Sequence, residues 1–122
     1  MKTSELTGPA LDLAVAKAKG KKPSIERNLI WTRGKSTPYA LFQPSKDWAQ
    51  GGPIIEREGI TIAPHSTHNG VIKEWKAGRD WPMSHSPYHF GTTPLIAAMR
   101  CYVASVLGDE VELPSVVEKI GL

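Results

Sequence analysis

The sequence is short of nearly everything that announces a particular chemistry. It has one cysteine, Cys101, so no internal disulfide can close and no second thiol can resolve a redox cycle. That cysteine sits in an apolar run, which reads as a small buried hydrophobe in a reducing compartment. No stretch approaches the roughly 18 consecutive apolar residues of a membrane span. The opening Met1-Lys2-Thr3-Ser4-Glu5-Leu6 lacks the apolar segment of a secretory signal, so a cytoplasmic protein is expected. Gly-x-Ser-x-Gly elbows, Walker-type phosphate loops and dinucleotide fingerprints are all missing, and neither a catalytic centre nor a cofactor is expected. Charge of one sign is also scarce in excess: 15 Lys and Arg stand against 12 Asp and Glu, a formal net of +3. Much of that surplus is Lys17, Lys19, Lys21 and Lys22, where cations complement the end of a helix. With no arginine-rich stripe bearing interleaved aromatics, nucleic-acid binding is disfavoured.

What is present is ordinary for a folded domain. A chain of 122 residues, 40% hydrophobic and 22% charged, is expected to form a single domain over residues 1–122. Folding at this length buries about two-thirds of the unfolded chain's surface, enough for a core without disulfides.

The spacing predicts a first helix capped by Thr7 and closed by Gly20, with Leu11, Ala14, Val15 and Ala18 forming one apolar stripe. Leu6 before the cap can pack on Leu11 as a hydrophobic staple. Asn28–Thr32 and Tyr39–Phe42 read as a hairpin around Arg33-Gly34-Lys35-Ser36, with Pro38 and Pro44 marking sheet edges. Ser45 is the expected cap of a second helical stretch, Lys46 to Glu58. Gly51-Gly52-Pro53 cuts through it, so a single turn around Trp48 and a fresh helix begun at Pro53 are expected. Ile60–Ala63 and Val71–Ala77 read as strands, with Asn69-Gly70 as a tight turn before the second. Gly78 to Thr92 is a long irregular stretch. The last helix begins at Thr93-Pro94, runs through Leu107 and ends at Gly108; apolar nearly all round, it is the expected central element. Residues 114–122 form a loosely packed tail. Helices at both ends with hairpin-like strands between them predict a mixed α/β (α+β) layered sandwich, its helices packed on a short, largely antiparallel sheet.

Three blocks, taken together, resemble the NinX-like family of tailed-phage proteins. They are Leu6-Thr7-Gly8-Pro9-Ala10-Leu11-Asp12-Leu13-Ala14-Val15-Ala16, then Ser45-Lys46-Asp47-Trp48-Ala49-Gln50-Gly51-Gly52-Pro53-Ile54-Ile55-Glu56, then Thr93-Pro94-Leu95-Ile96-Ala97-Ala98-Met99-Arg100. The same order of blocks occurs in the related phage α-β-α sandwich domain. The resemblance implies an α/β sandwich and a phage accessory protein acting in the host cytoplasm; it brings no catalytic residues.

Among the residues themselves, the start of the last helix is the leading candidate site. Gly91-Thr92-Thr93-Pro94 presents backbone N–H groups and two hydroxyls at a positive dipole end, which suits a phosphate or carboxylate. Arg79, Trp81, His85, Tyr88 and His89 lie just upstream with charge, flat rings and hydrogen-bonding groups. Arg100 follows two turns into the helix on nearly the same face. The competing reading of the same residues is that Thr93 only caps the helix and Arg100 only pairs with structure. The pairs His65/His68 and His85/His89 could surround a zinc ion, but no thiolate accompanies them and Pro87 interrupts the second, so no metal is expected. Trp48 with Asp47 and Gln50 forms a second aromatic-polar spot, where Gly51-Gly52 would allow close backbone approach, but Trp48 and Trp75 are expected in the core. The functional expectation is stoichiometric binding: sequestration of a small anionic, nucleotide-like host signal. The alternative is an adaptor or inhibitor of a host enzyme, and third a His-bound metal hydrolase.

Overall fold

A computed structural model describes residues 1–33, 39–79 and 88–114, and its centre is the last helix. This helix, Pro94–Leu107, buries Leu95, Ala97, Ala98, Met99, Cys101, Tyr102 and Val103. A helix with apolar residues on every side cannot be satisfied by one neighbour. It is therefore packed against the other two helices, the first turn of the chain and all three strands of one sheet.

The chain begins with a 3-10 turn, Thr3–Glu5, and α1, Gly8–Ala18, with Thr7 at the N-cap position. Leu6 and Leu11 are both fully buried, as the staple requires. Gly20, at φ 74°, ends the helix as expected. Gly20 N donates to Lys17 O and Lys21 N to Ala16 O, the paired bonds of a Schellman close. α2 is Trp48–Glu58, and the last helix is α3.

The strands fall into two sheets rather than the single one expected. β1 (Ser24–Glu26), β2 (Leu29–Thr32) and β3 (Ala40–Leu41) form an antiparallel sheet in that order, and β2 packs on α1. β4 (Thr61–His68), β5 (Val71–Gly78) and β6 (His89–Gly91) form the other, covering α3. The domain is thus a mixed α+β fold whose central helix is sandwiched between helices and sheet.

Four local expectations need correction. Asn28 does not begin a strand: Arg27 and Asn28, at φ 54° and 63°, make a two-residue turn that pairs Glu26 with Leu29 and creates β1. The segment 64–68 is not a loop but the outer half of β4, and His65 and His68 lie on it. An edge strand tolerates Pro64, and two register irregularities around Ser66 absorb the mismatch. Part of the supposed irregular stretch is β6. Finally, α2 is one helix running through Pro53, capped by Asp47 rather than Ser45. Proline clashes with the Cβ of its predecessor in a helix, and Gly52 has none, so Pro53 costs a hydrogen bond without the added steric penalty. Asn69-Gly70 turns as expected, at φ 52° and 79°. The expected turn at Arg33–Ser36 and the tail after Pro114 lie largely outside the described residues.

The ends of the chain are joined through backbone. Met1 and Val111 exchange hydrogen bonds at 3.0 and 2.9 Å, and Thr3 N donates to Asp109 O at 2.8 Å. Arg100 adds a second tie: Nε donates to Leu6 O at 2.9 Å and a terminal nitrogen to Phe90 O at 2.7 Å. One side chain on α3 therefore fixes both the lead-in to α1 and strand β6.

Two outcomes test this packing. A Cβ at Gly91 would stand 2.7 Å from Ala97 N and 2.8 Å from Ile96 Cγ2, so Gly91→Ala should lose about 1–3 kcal/mol in urea unfolding. Arg100→Met should lose about 2 kcal/mol by leaving two carbonyls without their donor; an unchanged midpoint would show that Arg100 does not tie these segments.

Candidate functional site

The start of α3 is the candidate site that the residues themselves suggested. A helix leaves its first N–H groups unpaired, and here they can be accounted for one by one. Pro94 has no N–H. Ile96 N donates to Thr93 Oγ1 at 3.1 Å, and Ala97 N to Thr93 O at 3.1 Å. Leu95 N–H is thus the one main-chain donor in the first turn that neither capping bond uses. Thr93 is the N-cap, and Thr92 beside it is exposed.

The start of α2 lies alongside, because Gly51 has no side chain. A Cβ there would meet Leu95 Cδ2 at 2.6 Å and Pro44 O at 2.7 Å. The first turns of both helices therefore border one pocket of about 370 Å³, lined by Ser45, Lys46 and Trp48 from one side and Thr93 to Ile96 from the other. Its walls are mainly apolar. Trp48 is 55% exposed, which corrects the expectation that it fills the core. It lies on the same helical stripe as buried Gly51 and Ile54, but at the first position of α2, where the stripe overhangs the start of α3 and meets the pocket instead of packed side chains.

The start of α2, which carries Trp48, is held rigidly by polar bonds, some of them on the side of the helix away from this pocket. Asp47 caps α2 by accepting from Ala49 N at 2.9 Å. Gln50, three residues on, accepts from Gln43 N at 2.9 Å and donates to Leu41 O at 3.0 Å and to Asp47 Oδ2 at 3.2 Å. Lys46 is exposed at the rim. Behind it Asp12, only 4% exposed on α1, accepts from Ser45 N at 2.9 Å. Burial pushes the Asp12 carboxyl up from 3.8 to about 6; the Ser45 N–H and the Lys46 charge oppose this without cancelling it. The Ser45 hydroxyl, itself buried and without a well-formed hydrogen bond, pulls in the same direction as they do.

The residues expected to form one constellation are spread over several places. Thr93 lines the pocket. Arg79 faces Glu58 at 3.8 Å, and the Lys76 ammonium lies 4.7 Å from the centre of the Tyr88 ring. His89 borders a separate depression of about 310 Å³ with Thr3 and Asp109; burial lowers its imidazole from the usual value, and Asp109 partly opposes that. Arg100 is engaged by the two carbonyls described above, and burial lowers its pKa, with Glu74 opposing. Trp81 and His85 lie outside the described residues. Among the described residues no group of three or more His, Cys, Asp or Glu is arranged to hold a metal. His65 instead packs at a tilt against Phe90, ring centres 4.5 Å apart, and faces Glu74 at 3.8 Å. Lys46 was missed as a pocket residue, and Trp48, which could be read as part of an aromatic-polar spot, was assigned to the core instead. The available signal was a glycine three residues after a tryptophan in a helix, which permits a close helix contact beneath an overhanging ring.

Asp12 makes the site's stability depend on pH. Its pKa is higher in the folded chain, so the folded state holds the proton more tightly and is favoured at low pH. The contribution is complete below 3.8 and lost as pH rises through about 6, a change of about 3 kcal/mol. Asp12→Asn keeps an acceptor for Ser45 N and should abolish that fall. Urea unfolding of both proteins from pH 4 to 7 measures the difference; parallel curves would mean that Asp12 ionises normally.

Comparison with known proteins adds the family. The sequence model of the family described as Bacteriophage P22, NinX matches residues 2–106. No curated protein matches the chain. Among the described residues no helix is long and apolar enough to cross a membrane. The matched span includes every element from the first turn through all but the last residue of α3, and the pocket with it, so the chain belongs to the phage P22 NinX family.

Proposed function

We propose that this phage protein acts as an accessory factor by stoichiometric binding, its pocket withholding a small host molecule that carries a flat ring and one anionic group, a nucleotide-like ligand. The observation that carries the reading is that the exposed Trp48 and the first turn of α3 line one pocket. A ring laid on the indole gains stacking on one side and apolar contact with Leu95 and Ile96 on the other. Lys46 and the Leu95 N–H serve the anion, and the Thr93 hydroxyl, whose oxygen accepts from Ile96, keeps a proton to donate. One main-chain donor and one lysine suit a single phosphate or carboxylate better than a polyphosphate chain, and the Asp47 carboxylate nearby adds to that preference.

Support also comes from where the family likeness lies. Asp12 belongs to the first of the three resembling blocks, Ser45 to Gly51 to the second, and Thr93 to Leu95 to the third. Distant in sequence, they meet around this pocket. Thr92 is retained at its edge. In this reading Arg79, Tyr88, His89 and Arg100 serve the fold rather than the ligand.

A second reading, an adaptor docking on a host protein, draws on a different surface. Phe90 pairs with Lys76 on the second sheet and is 38% exposed, and Ile72 and Tyr88 on the same sheet and beside it are 37% and 41% exposed. Unshared apolar groups of this kind are characteristic of protein contacts.

Native mass spectrometry of the protein taken from phage-infected cells separates the two readings. A retained mass of a few hundred daltons, lost in Trp48→Ala while the fold survives, is the expected result. Wild-type protein that carries no small molecule and instead co-purifies with a host enzyme would replace the first reading by the second.

A further inference from the structure

A second pocket lies across α2 from the one beneath Trp48. Each helical residue turns the chain by about 100°, so Trp48 and Gln50 point to nearly opposite sides of α2. Gln50 and Pro53, with Lys19, Lys21, Thr32 and Phe42, line a cavity of about 360 Å³ between the end of α1, strand β3 and this far side of α2.

Three features there are not needed by the fold. First, Lys19 and Lys21 flank the Schellman close of α1, so their backbones are fixed by Lys19 N to Val15 O and Lys21 N to Ala16 O. Among the described residues neither ammonium has a carboxylate within ion-pair distance. Second, the positive charges are crowded. Burial, then Arg57, then Lys21, make the Lys19 ammonium less stable than usual. A helix end explains one lysine near its carbonyls, but it does not explain cations gathered until they oppose each other. Third, Thr32 is only 7% exposed, and its hydroxyl makes no hydrogen bond among the described residues although it borders the cavity. Its oxygen is not among the fully buried partnerless ones, so it meets water at the cavity and is free to bond a ligand oxygen instead. Gln50, by contrast, is fully committed to Gln43, Leu41 and Asp47, so it is a fixed wall.

We infer that this cavity is a binding site for a small phosphomonoester, its dianionic phosphate held by Lys19, Lys21 and the Thr32 hydroxyl. The organic part of the ester rests on Phe42 and Pro53. Two ammoniums that repel each other are both stabilised by one dianion, which a monoanionic sulfonate does less well. The inference does not rest on the function proposed for the Trp48 pocket, since the two cavities share no lining residue.

The test is a ¹H–¹⁵N NMR titration of the whole chain with phenyl phosphate near pH 7 at low ionic strength, with benzenesulfonate as comparison. Saturable shifts at the Lys19, Lys21 and Thr32 amides are expected, about tenfold weaker with benzenesulfonate. Lys19→Gln with Lys21→Gln, both only partly buried, should weaken phenyl phosphate by about tenfold or more. Thr32→Val, nearly isosteric, should weaken it by a smaller factor; if that variant does not fold, the lysine pair carries the test. Shifts centred on Leu95 and the Trp48 indole, equal responses to both anions, or an unaltered affinity in the lysine variant would each overturn the assignment.

Discussion

Everything in this fold answers to one constraint: α3 is apolar on all sides and must be enclosed. A helix with a single apolar stripe asks for one partner, but α3 buries residues over about two-thirds of its circumference. Enclosing it takes α1, α2, the first turn and the second sheet together, which is why a chain this short spends its strands in two small sheets instead of one wide one. Tight enclosure also sets the glycines. Gly51 and Gly91 are the places where neighbouring backbone comes too close to α3 for any side chain.

Polar groups then appear where enclosure leaves main-chain atoms exposed to a dry interior. Arg100 is the single charged residue of α3, and it spends its donors on the carbonyls of Leu6 and Phe90. Burial makes that guanidinium less willing to hold its charge, and two carbonyl acceptors offset part of the cost. Asp12 is the counterpart on α1: a carboxylate taken out of water to receive Ser45 N, holding the turn that leads into α2. These two residues link elements that apolar packing alone would leave free to slide.

The pocket under Trp48 is a by-product of the same arrangement. Two helices brought together at their first turns by Gly51 cannot fill the wedge beyond their ends. A bulky residue at the first position of α2 therefore overhangs space, and capping has already consumed most of the donors below it. Compact packing and a ligand-sized wedge thus come from one glycine.

The amino-acid sequence by itself determined those features whose causes are local. The caps at Thr93 and Gly20, the staple of Leu6 on Leu11, the Asn69-Gly70 turn and the all-round apolar character of α3 each depend on residues within a few positions of one another. Only the tertiary structure decided what depends on distant partners. Pro53 sits inside α2 because Gly52 removes a clash and the core holds the helix together on both sides. Pro64 sits inside β4 because that strand forms a sheet edge, which no nearby residue reveals. Arg100 was expected both as a ligand group and as a structural one, and carbonyls 94 and 10 positions away engage it. The pocket was half legible: Thr93 could be named from its capping pattern, whereas Lys46 and Trp48 join it through the contact of Gly51 with Leu95, 44 residues further on. Spacing reports what a residue does for its own helix or strand; which empty space it borders is a property of the elements packed around it.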